Sequence, residues 1–278
     1  MAAIHKRGQM RLSLPALIDG ALPGVLVAVG LSFSDSPAIW LGSLAVAFAG
    51  LLVVVLGGAY AFHRLSLRSE HRIQGPRRKP APLVREALET TRSMFVAATL
   101  AAWPLSMWWQ GQPTGLVWDL TPSGASPIVV TLMMLLGVVG MDAWLYWKHR
   151  LLHTRLLFPF HKNHHYFRDP TPLAGFAVGS LEAFLTFWPT LLLCIPQAIH
   201  WAPVYFPLVI GFIILNLYLH SGVTYRWVEA TLPKAFLNTS AFHNIHHSHV
   251  KANFGEAGYL WDVICKTRLQ DVESRQSA

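Results

Sequence analysis

Histidines recur along this chain at spacings that suit metal binding. The segments HRLLH, FHKNHH and FHNIHH begin at positions 149, 160 and 242. Histidines three or four positions apart lie on one face of a helix, so their imidazoles can reach a common ion. The three segments contribute eight candidate ligands: His149, His153, His161, His164, His165, His243, His246 and His247. Eight clustered imidazoles would repel one another if protonated, and a metal removes that conflict because it binds the neutral form.

The number of histidines predicts two ions. Zinc sites usually have about four ligands, so eight are too many for one ion. Imidazole suits iron, zinc and copper, and the ligand type alone does not name the metal. The sequence contains no E-x-x-H and no H-E-x-x-H, which argues against a carboxylate-bridged ferritin-like site and against a zinc metalloprotease. With only two cysteines, Cys194 and Cys265, neither a disulfide framework nor a cysteine-based metal site is expected.

The elements that must position these histidines are predicted to be membrane helices. The chain is 53% hydrophobic and 13% charged, whereas a soluble domain has about 25% charged residues. A helix needs about 20 apolar residues to cross the hydrocarbon core. The expected spans cover residues 12–33, 38–62, 93–109 and 127–147, followed by a C-terminal hairpin over 173–196 and 203–219 that crosses or only re-enters. We therefore predict an all-α integral membrane protein with about four transmembrane helices plus this hairpin.

The distribution of basic residues predicts the orientation. The net charge is +8, and all 22 lysines and arginines lie before residue 12, between 64 and 92, between 148 and 168, or after 220. The connections 34–37, 110–126 and 197–202 contain none. By the positive-inside rule, the basic segments and the histidine motifs face the cytoplasm. Attraction to anionic lipid headgroups explains this charge more simply than nucleic-acid binding, and no nucleic-acid partner is expected.

No linker separates two soluble domains. We expect an N-terminal membrane anchor with a basic cytoplasmic loop over residues 1–87, a catalytic unit over 88–268, and a flexible tail over 269–278. The basic N-terminus precedes an apolar run without an evident cleavage site, so we interpret it as a retained anchor. The histidine motifs would then form a helical cap that holds the two ions on the cytoplasmic side.

Residues 142–267 resemble the fatty acid hydroxylase and sterol desaturase superfamily of integral membrane non-haem di-iron enzymes. The resemblance is carried by DAWLYWKHRLLH at 142–153, FHKNHH at 160–165, LHSG at 219–222, FHNIHHSHVKANFG at 242–255 and LWD at 260–262. It implies that the eight histidines are iron ligands and that His220 is a ninth. Zinc is expected to replace iron in some preparations.

The chain departs from the superfamily pattern at one position. Many members carry a His-Pro-x-Glu stretch after the second motif, whereas this chain keeps Glu182 and has Gly179 in place of the histidine. Asp142 lies seven residues before His149, two helical turns away on the same face. We interpret Asp142 and Glu182 either as acceptors for an imidazole N–H or as helix-packing residues. Asn253 and Asp262 are further candidates for hydrogen bonds to the ligands.

The resemblance implies an oxygenase. Two histidine-bound irons can reduce O₂ and oxidise an unactivated C–H bond, giving an alcohol or, if a second hydrogen is removed, an alkene; hydroxylation is the commoner outcome in the superfamily. The substrate is expected to be a lipid or another hydrophobic molecule that enters from the membrane. No nucleotide, flavin or haem motif is evident, so a separate electron donor is implied, a cytochrome b5-, ferredoxin- or rubredoxin-like protein that docks on the basic face.

Two other functions would also collect histidines. A membrane metal transporter or storage protein predicts ligands spread through the depth of the spans and more intramembrane carboxylates. A redox-inactive, zinc-bound lyase or scaffold would keep the ligands without oxygen chemistry. Metal content and oxygen dependence distinguish these alternatives from a hydroxylase or desaturase.

Overall fold

The computed structural model describes residues 13–69, 71–75 and 80–269, and these residues are mainly helical. Residues 1–12 of the predicted anchor and 270–278 of the predicted tail lie outside this part. The α-helices are α1 (Leu14–Phe33), α2 (Pro37–Leu51), α3 (Gly58–Ser66), α4 (Leu83–Trp109), α5 (Pro127–Leu152), α6 (Phe158–His161), α7 (Ser180–Phe187), α8 (Ala202–Leu219), α9 (Arg226–Thr231), α10 (Ser240–Ser248) and α11 (Leu260–Ile264). Two short parallel strands, β1 (Leu116–Val117) and β2 (His200–Trp201), pair with each other.

Within the part of the chain that the structure describes, four helices are long and apolar enough to cross a membrane. They are Leu14–Phe33, Pro37–Ser66, Pro127–Leu152 and Ala202–Leu219. The second joins α2 and α3 through a π-helical turn, Leu52–Gly57. The predicted all-α membrane fold is confirmed, but the four helices are not the four expected spans. The predicted span 93–109 lies within α4 instead, and α8 belongs to the predicted hairpin.

The helices run between two ends of the molecule. At the histidine end, where all three motifs lie, Ile73 N–H donates to Gly222 O over 3.1 Å. At the far end, Gln112 Nε2 donates to Asp35 Oδ2 over 2.8 Å, which joins the connection after α4 to the turn between α1 and α2. Because α4 begins at the histidine end and finishes at the far end, it traverses the molecule alongside the four apolar helices.

The predicted hairpin is asymmetric. Its first arm consists of α7 followed by a 3₁₀ helix, Trp188–Cys194, and its second arm is the continuous helix α8. A 3₁₀ helix rises about 2.0 Å per residue against about 1.5 Å for an α-helix. The first arm is therefore about 26 Å long, close to the thickness of the hydrocarbon core. The first arm ends near β2 at the far end, and α8 then runs back to the histidine end.

Close contacts between small and large residues hold the first helices together. Trp40 of α2 is fully buried against Gly30 of α1, where a Cβ atom would lie 2.2 Å from the indole. Ala98 and Ala102 of α4 are one turn apart and pack in the same cluster as Trp40. Small residues at i and i+4 let membrane helices approach closely, and this packing holds α1, α2 and α4 against one another.

Candidate metal centre

Nine histidines converge at the ends of four segments of the chain. His149 lies in the last turn of α5 and His153 caps that helix, while His161 ends α6. His164 and His165 begin a 3₁₀ turn. His220 caps the C-terminus of α8, and the remaining three lie on α10: His243, His246 and His247. Eight of the nine are buried, and His153 is half-buried.

The nine side chains form two groups. The five-histidine group contains His149, His153, His161, His165 and His246, and the four-histidine group contains His164, His220, His243 and His247. Within each group, one ring nitrogen from every histidine lies within 4.8 Å of the others. The groups adjoin each other, since the ring centroids of His161 and His164 are 5.3 Å apart. The predicted ligands, including His220, are thus brought together, while their role as ligands stays a prediction.

Each H-x-x-H-H motif is divided between the two groups. The outer pair of the first motif, His161 and His165, enters the five-histidine group, and His164 enters the other. The second motif is divided in the opposite sense, because His246 joins the five-histidine group and its two neighbours join the four-histidine group. Neither motif forms a site alone, so the two motifs and the helix ends of α5 and α8 build a single two-part centre.

The distances between ring nitrogens match the edges of a coordination shell. In the five-histidine group, His149 Nε2 is 3.1 Å from His161 Nε2 and 3.2 Å from His153 Nε2. In the four-histidine group, the Nε2 atoms of His243 and His220 are 3.0 Å apart. Four or six nitrogens at about 2.0–2.1 Å from a metal are about 2.9–3.3 Å from their nearest neighbours. Both groups therefore have the spacing that an imidazole-bound ion requires.

Hydrogen bonding cannot account for this convergence. The Nδ1–H groups of His149, His246 and His220 donate to the carbonyls of Phe254, Ala252 and Asn216 over 2.7, 2.7 and 2.9 Å. A neutral imidazole then presents a lone pair at Nε2. The His149 lone pair faces two other Nε2 atoms but can accept from only one donor in the ring plane. A shared cation satisfies all these lone pairs together, so the residues fit a metal in each group.

Burial keeps the imidazoles neutral. It lowers the pKa of His153 to about 3 and the pKa values of His220 and His246 to about 4. Burial, reinforced by neighbouring imidazoles, also holds the pKa values of the other candidate ligands outside α5 below their usual range: His161, His164, His165, His243 and His247. A metal ligand must be unprotonated, and these side chains have that form at neutral pH.

A loop after α10 supplies two of the carbonyl acceptors. Asn253 has a left-handed φ of 58°, and its neighbours Ala252 and Phe254 direct their carbonyls to His246 and His149. Asp262 of α11 fixes this loop, because its carboxylate accepts from the N–H groups of Phe254 and Gly255 over 2.9 and 2.7 Å. Asn253 and Asp262 therefore act through the backbone, one step behind the histidines. The carbonyl acceptors could not be predicted from the sequence motifs, because the motifs describe side chains and not the path of the backbone.

Glu182 lies against a candidate ligand. Its Oε2 is 2.7 Å from His161 Nδ1, and both side chains are buried. A carboxylate on the outer nitrogen of a ligating histidine orients the ring. This contact supports the first of the two interpretations of Glu182, the one in which it holds an imidazole.

Asp142 does not reach an imidazole. Its Oδ1 accepts from the backbone N–H of Gly258 over 2.7 Å. Seven residues of α-helix advance about 10.5 Å along the axis, so a shared helix face does not bring Asp142 into contact with His149. The contact with Gly258 favours the packing role of Asp142, here on the loop before α11. Its interpretation as an imidazole acceptor stays a prediction without a supporting contact among the described residues.

Lys148 is a neighbour of the centre that the sequence patterns do not single out. Its ammonium is buried, pairs with Glu256 over 2.7 Å and donates to Thr186 Oγ1 over 2.8 Å. Thr186 in turn donates to the carbonyl of Glu182 over 2.9 Å. Lys148 therefore links α5, α7 and the loop before α11 behind the five-histidine group. A buried lysine must be paired. The burial of Lys148 could not be predicted from the sequence, because it lies beside other basic residues that suggest an exposed position.

The site and fold define a helical membrane protein with a two-part histidine centre at one end of its helices. Residues 134–267, which contain all nine histidines, match the family model described as fatty acid hydroxylase. This segment therefore resembles a fatty acid hydroxylase domain, and the predicted resemblance to the fatty acid hydroxylase and sterol desaturase superfamily is confirmed.

Curated relatives come from the same superfamily. The chain is 34% identical to lathosterol oxidase of Homo sapiens over 144 residues, which is 51% of this chain and 46% of the relative. It is 29% identical to a Delta(7)-sterol 5(6)-desaturase of Gibberella zeae over 180 residues, 62% of this chain and 47% of the relative. The chain thus spans about half the length of the curated relatives it matches. No solved structure matches it significantly.

Proposed function

We propose that this protein is a membrane-bound oxygenase that holds two iron ions, one in each histidine group, and oxidises an unactivated C–H bond of a hydrophobic molecule. The observation that carries the proposal is a two-part imidazole centre that lies close to a large apolar cavity. Iron supplies O₂ reduction and the oxidising power when bound. The chain supplies the ligands, the orientation of the imidazoles and an apolar wall for the substrate.

The cavity has a volume of about 2080 Å³ and lies between α4, α5 and α8. Apolar side chains form most of its wall. Two of its lining residues lie near the five-histidine group: Leu145 is one turn before His149, and Thr186 contacts Lys148. Val129 and Met133 line it and are also exposed on the outside of α5. A hydrophobic substrate can therefore enter sideways from the bilayer and reach the metal centre without passing through water.

The walls of the cavity favour a lipid or sterol-like substrate. A soluble metabolite would need several convergent polar groups for orientation, whereas this wall offers few. The carbonyls of Ala252 and Phe254 keep two imidazoles in a fixed orientation, and Glu182 holds a third. Fixed ligands and an apolar approach direct oxidation to the part of the substrate that reaches the end of the cavity near Leu145.

Hydroxylation is the reaction we propose first, because it needs only one hydrogen abstraction and return of oxygen to the same carbon. Desaturation is the second candidate. The specific observation that favours it is the similarity of the chain to a lathosterol oxidase and to sterol desaturases. Both reactions need two electrons from outside, and we propose that the donor is an acidic protein that docks on the basic, cytoplasmic histidine end.

The proposal is tested by metal analysis and oxygen-dependent conversion of lipid extracts by the purified protein with a chemical or protein reductant. We expect two irons per chain and a product that forms only with O₂. Incorporation of ¹⁸O from labelled O₂ into an alcohol identifies hydroxylation, and an alkene without label identifies desaturation. Zinc without product, after reconstitution with iron, would contradict the oxygenase and favour a lyase or scaffold. Metal transport into vesicles would favour the transporter.

The role of the cavity is tested by filling it. Gly140 lines the cavity, and a Cβ atom there would have no atom within 4 Å. Gly140→Phe is expected to lower turnover at least 10-fold with unchanged iron content, because the ring occupies the substrate path. Gly50→Phe is the matched control, since Gly50 has the same open surroundings and does not line the cavity. Equal activity of the two variants would show that the substrate reaches the centre by another route.

A further inference from the structure

A carboxylate from the first membrane helix is buried close to the metal centre. Asp19 lies in α1, within an apolar span and outside the segment that matches the family model. Its side chain is 11% exposed, and its Oδ2 pairs with Arg92 of α4 over 3.1 Å. The same guanidinium nitrogen donates to the backbone carbonyl of Asp19 over 2.8 Å. A charged side chain in an apolar span is costly, so its partners and position call for a functional explanation.

The second partner of Asp19 is the N-terminus of α7. Its Oδ1 accepts from Leu181 N–H over 2.9 Å, in the first turn of that helix. Gly179, which occupies the N-cap position, has no side chain that could make this bond. An acidic group at a helix N-terminus satisfies an N–H that has no partner within the helix and interacts favourably with the helix dipole. Asp19 thus caps α7 from another helix.

Gly179 leaves space for this cap. A Cβ atom at Gly179 would lie 2.8 Å from Asp19 Oδ1 and 2.9 Å from the carbonyl oxygen of Phe160, distances that are too short for a carbon atom. The histidine found here in many superfamily members could not be accommodated beside Asp19. The start of α7 is therefore held between the Asp19 carboxylate and the residue that precedes His161.

One turn into α7, this arrangement reaches a candidate metal ligand. Glu182 is three residues after Gly179, and its Oε2 contacts His161 Nδ1 over 2.7 Å. A continuous series of contacts runs from Arg92 through Asp19 and the first turn of α7 to Glu182 and His161. Any shift of the first turn of α7 moves Glu182 relative to the imidazole that it orients.

We propose that Asp19 is a positioning residue of the five-histidine group, acting through α7 and Glu182, and that Gly179 is required because the Asp19 carboxylate takes the place of a side chain there. The inference rests on the proposed function, since it assumes that the five-histidine group binds a metal. It assigns a role in the centre to α1, a helix that the family match does not include.

The test is a double-mutant cycle on metal affinity, measured by titrating the purified metal-free protein with Co²⁺. The weakened site is identified as the one that His149→Ala removes. Asp19→Ala is expected to lower affinity at this site about 10-fold, the lower end of the effect of groups that orient metal ligands. In a Glu182→Ala background it is expected to change affinity less than 2-fold, because the route to His161 is already broken.

Two further variants make the result decisive. Asp35→Ala removes an exposed acid from the turn after α1, where its side chain accepts a solvent-exposed hydrogen bond from Gln112, and is expected to leave Co²⁺ affinity unchanged. Gly179→Ala displaces the Asp19 carboxylate from the N-terminus of α7 and is expected to weaken the same site, again only when Glu182 is present. This variant takes the place of Asp19→Ala if Asp19→Ala does not fold. Asp19→Asn keeps an acceptor for Leu181 N–H and should retain most of the affinity.

The outcomes separate the two proposals. Loss of affinity that is equal with and without Glu182, or absence of any loss in both Asp19→Ala and Gly179→Ala, overturns the positioning role while the metal centre stands. Failure of the wild-type protein to bind Co²⁺ at either group overturns the metal centre itself, and the positioning role with it.

Discussion

Asn253 shows how a single residue can orient two candidate ligands through the backbone. Its left-handed backbone directs the carbonyls before and after it towards His246 and His149. Its side chain holds that conformation, because Nδ2 donates to the carbonyls of Phe242 and Leu269 over 3.2 and 3.1 Å. Asparagine tolerates this backbone region better than most residues. Asparagine at position 253 thus supports the loop conformation in which two carbonyls accept from the Nδ1–H groups of His246 and His149.

The division of the histidines predicts which substitutions act together. His161→Ala is expected to remove the metal of the five-histidine group and to leave about one ion per chain, and His247→Ala is expected to do the same for the four-histidine group. His164→Ala should resemble His247→Ala, although it lies in the same motif as His161. Metal content of the purified variants, measured by mass spectrometry, checks this division.

His249→Ala is the matched control for these variants. His249 is exposed and belongs to neither group, so its substitution should leave the metal content unchanged. If His161→Ala and His164→Ala instead removed the same ion, each motif would serve one metal and the division seen in the structure would be contradicted.

The identity of the candidate ligands could be predicted from spacing, but their grouping could not. The i, i+4 rule treats a motif as one helix face, whereas the chain turns between His161 and His164 and sends them to different groups. His220 stands alone in the sequence, and only the superfamily resemblance indicated it. The Ala252 and Phe254 carbonyls could not be predicted, since they depend on the path of the backbone.

At the scale of elements, hydropathy predicted the long apolar helices. It did not predict the full extent of α4 or the length of the first arm of the hairpin. The first half of α4 carries Arg85, Glu86, Glu89 and Arg92, so an apolar window captured only its second half. The first arm of the hairpin ends in a 3₁₀ helix, which is longer per residue than an α-helix. The length of the arm is therefore underestimated if the α-helical rise is assumed for all its residues. The hairpin contacts the centre through Glu182, and α4 contacts Asp19 of α1 through Arg92.

Metal removal should loosen some elements and spare others. α10 carries three candidate ligands and contacts the other histidine segments through them. Without metal, the facing lone pairs of the imidazoles repel one another, and a metal held at 100 times its Kd contributes about 2.7 kcal/mol to the folded state. Chelation should therefore speed amide exchange in α10 about 100-fold, as measured by hydrogen–deuterium exchange of the protein in nanodiscs.

α2 provides the internal control for this experiment. It packs on α4 through Trp40 and Leu44 and carries no histidine, so its exchange should stay the same with and without metal. Equal acceleration of α2 and α10 would indicate global unfolding, and no acceleration of α10 would argue that the histidines hold no ion that stabilises the fold.

At the scale of the whole molecule, basic residues and the candidate metal ligands lie at the same end. The histidine end contains Arg72, which pairs with Asp169 over 2.9 Å beside the loop that follows the second motif. At the far end, the connection 110–126 has no lysine or arginine. The positive-inside rule therefore predicts that the histidine end faces the cytoplasm, where a reductant for the proposed reaction would be available.

Labelling of single cysteines tests this orientation. Ser123 lies in the exposed turn at the far end and Ser248 is exposed at the end of α10. In a background in which Cys194 and Cys265 are replaced by serine, Ser123→Cys should react with a membrane-impermeant maleimide in intact cells. Ser248→Cys should react only after permeabilisation. The reverse pattern would place the metal centre outside the cytoplasm, and the proposed electron donor would then have to be an extracytoplasmic protein.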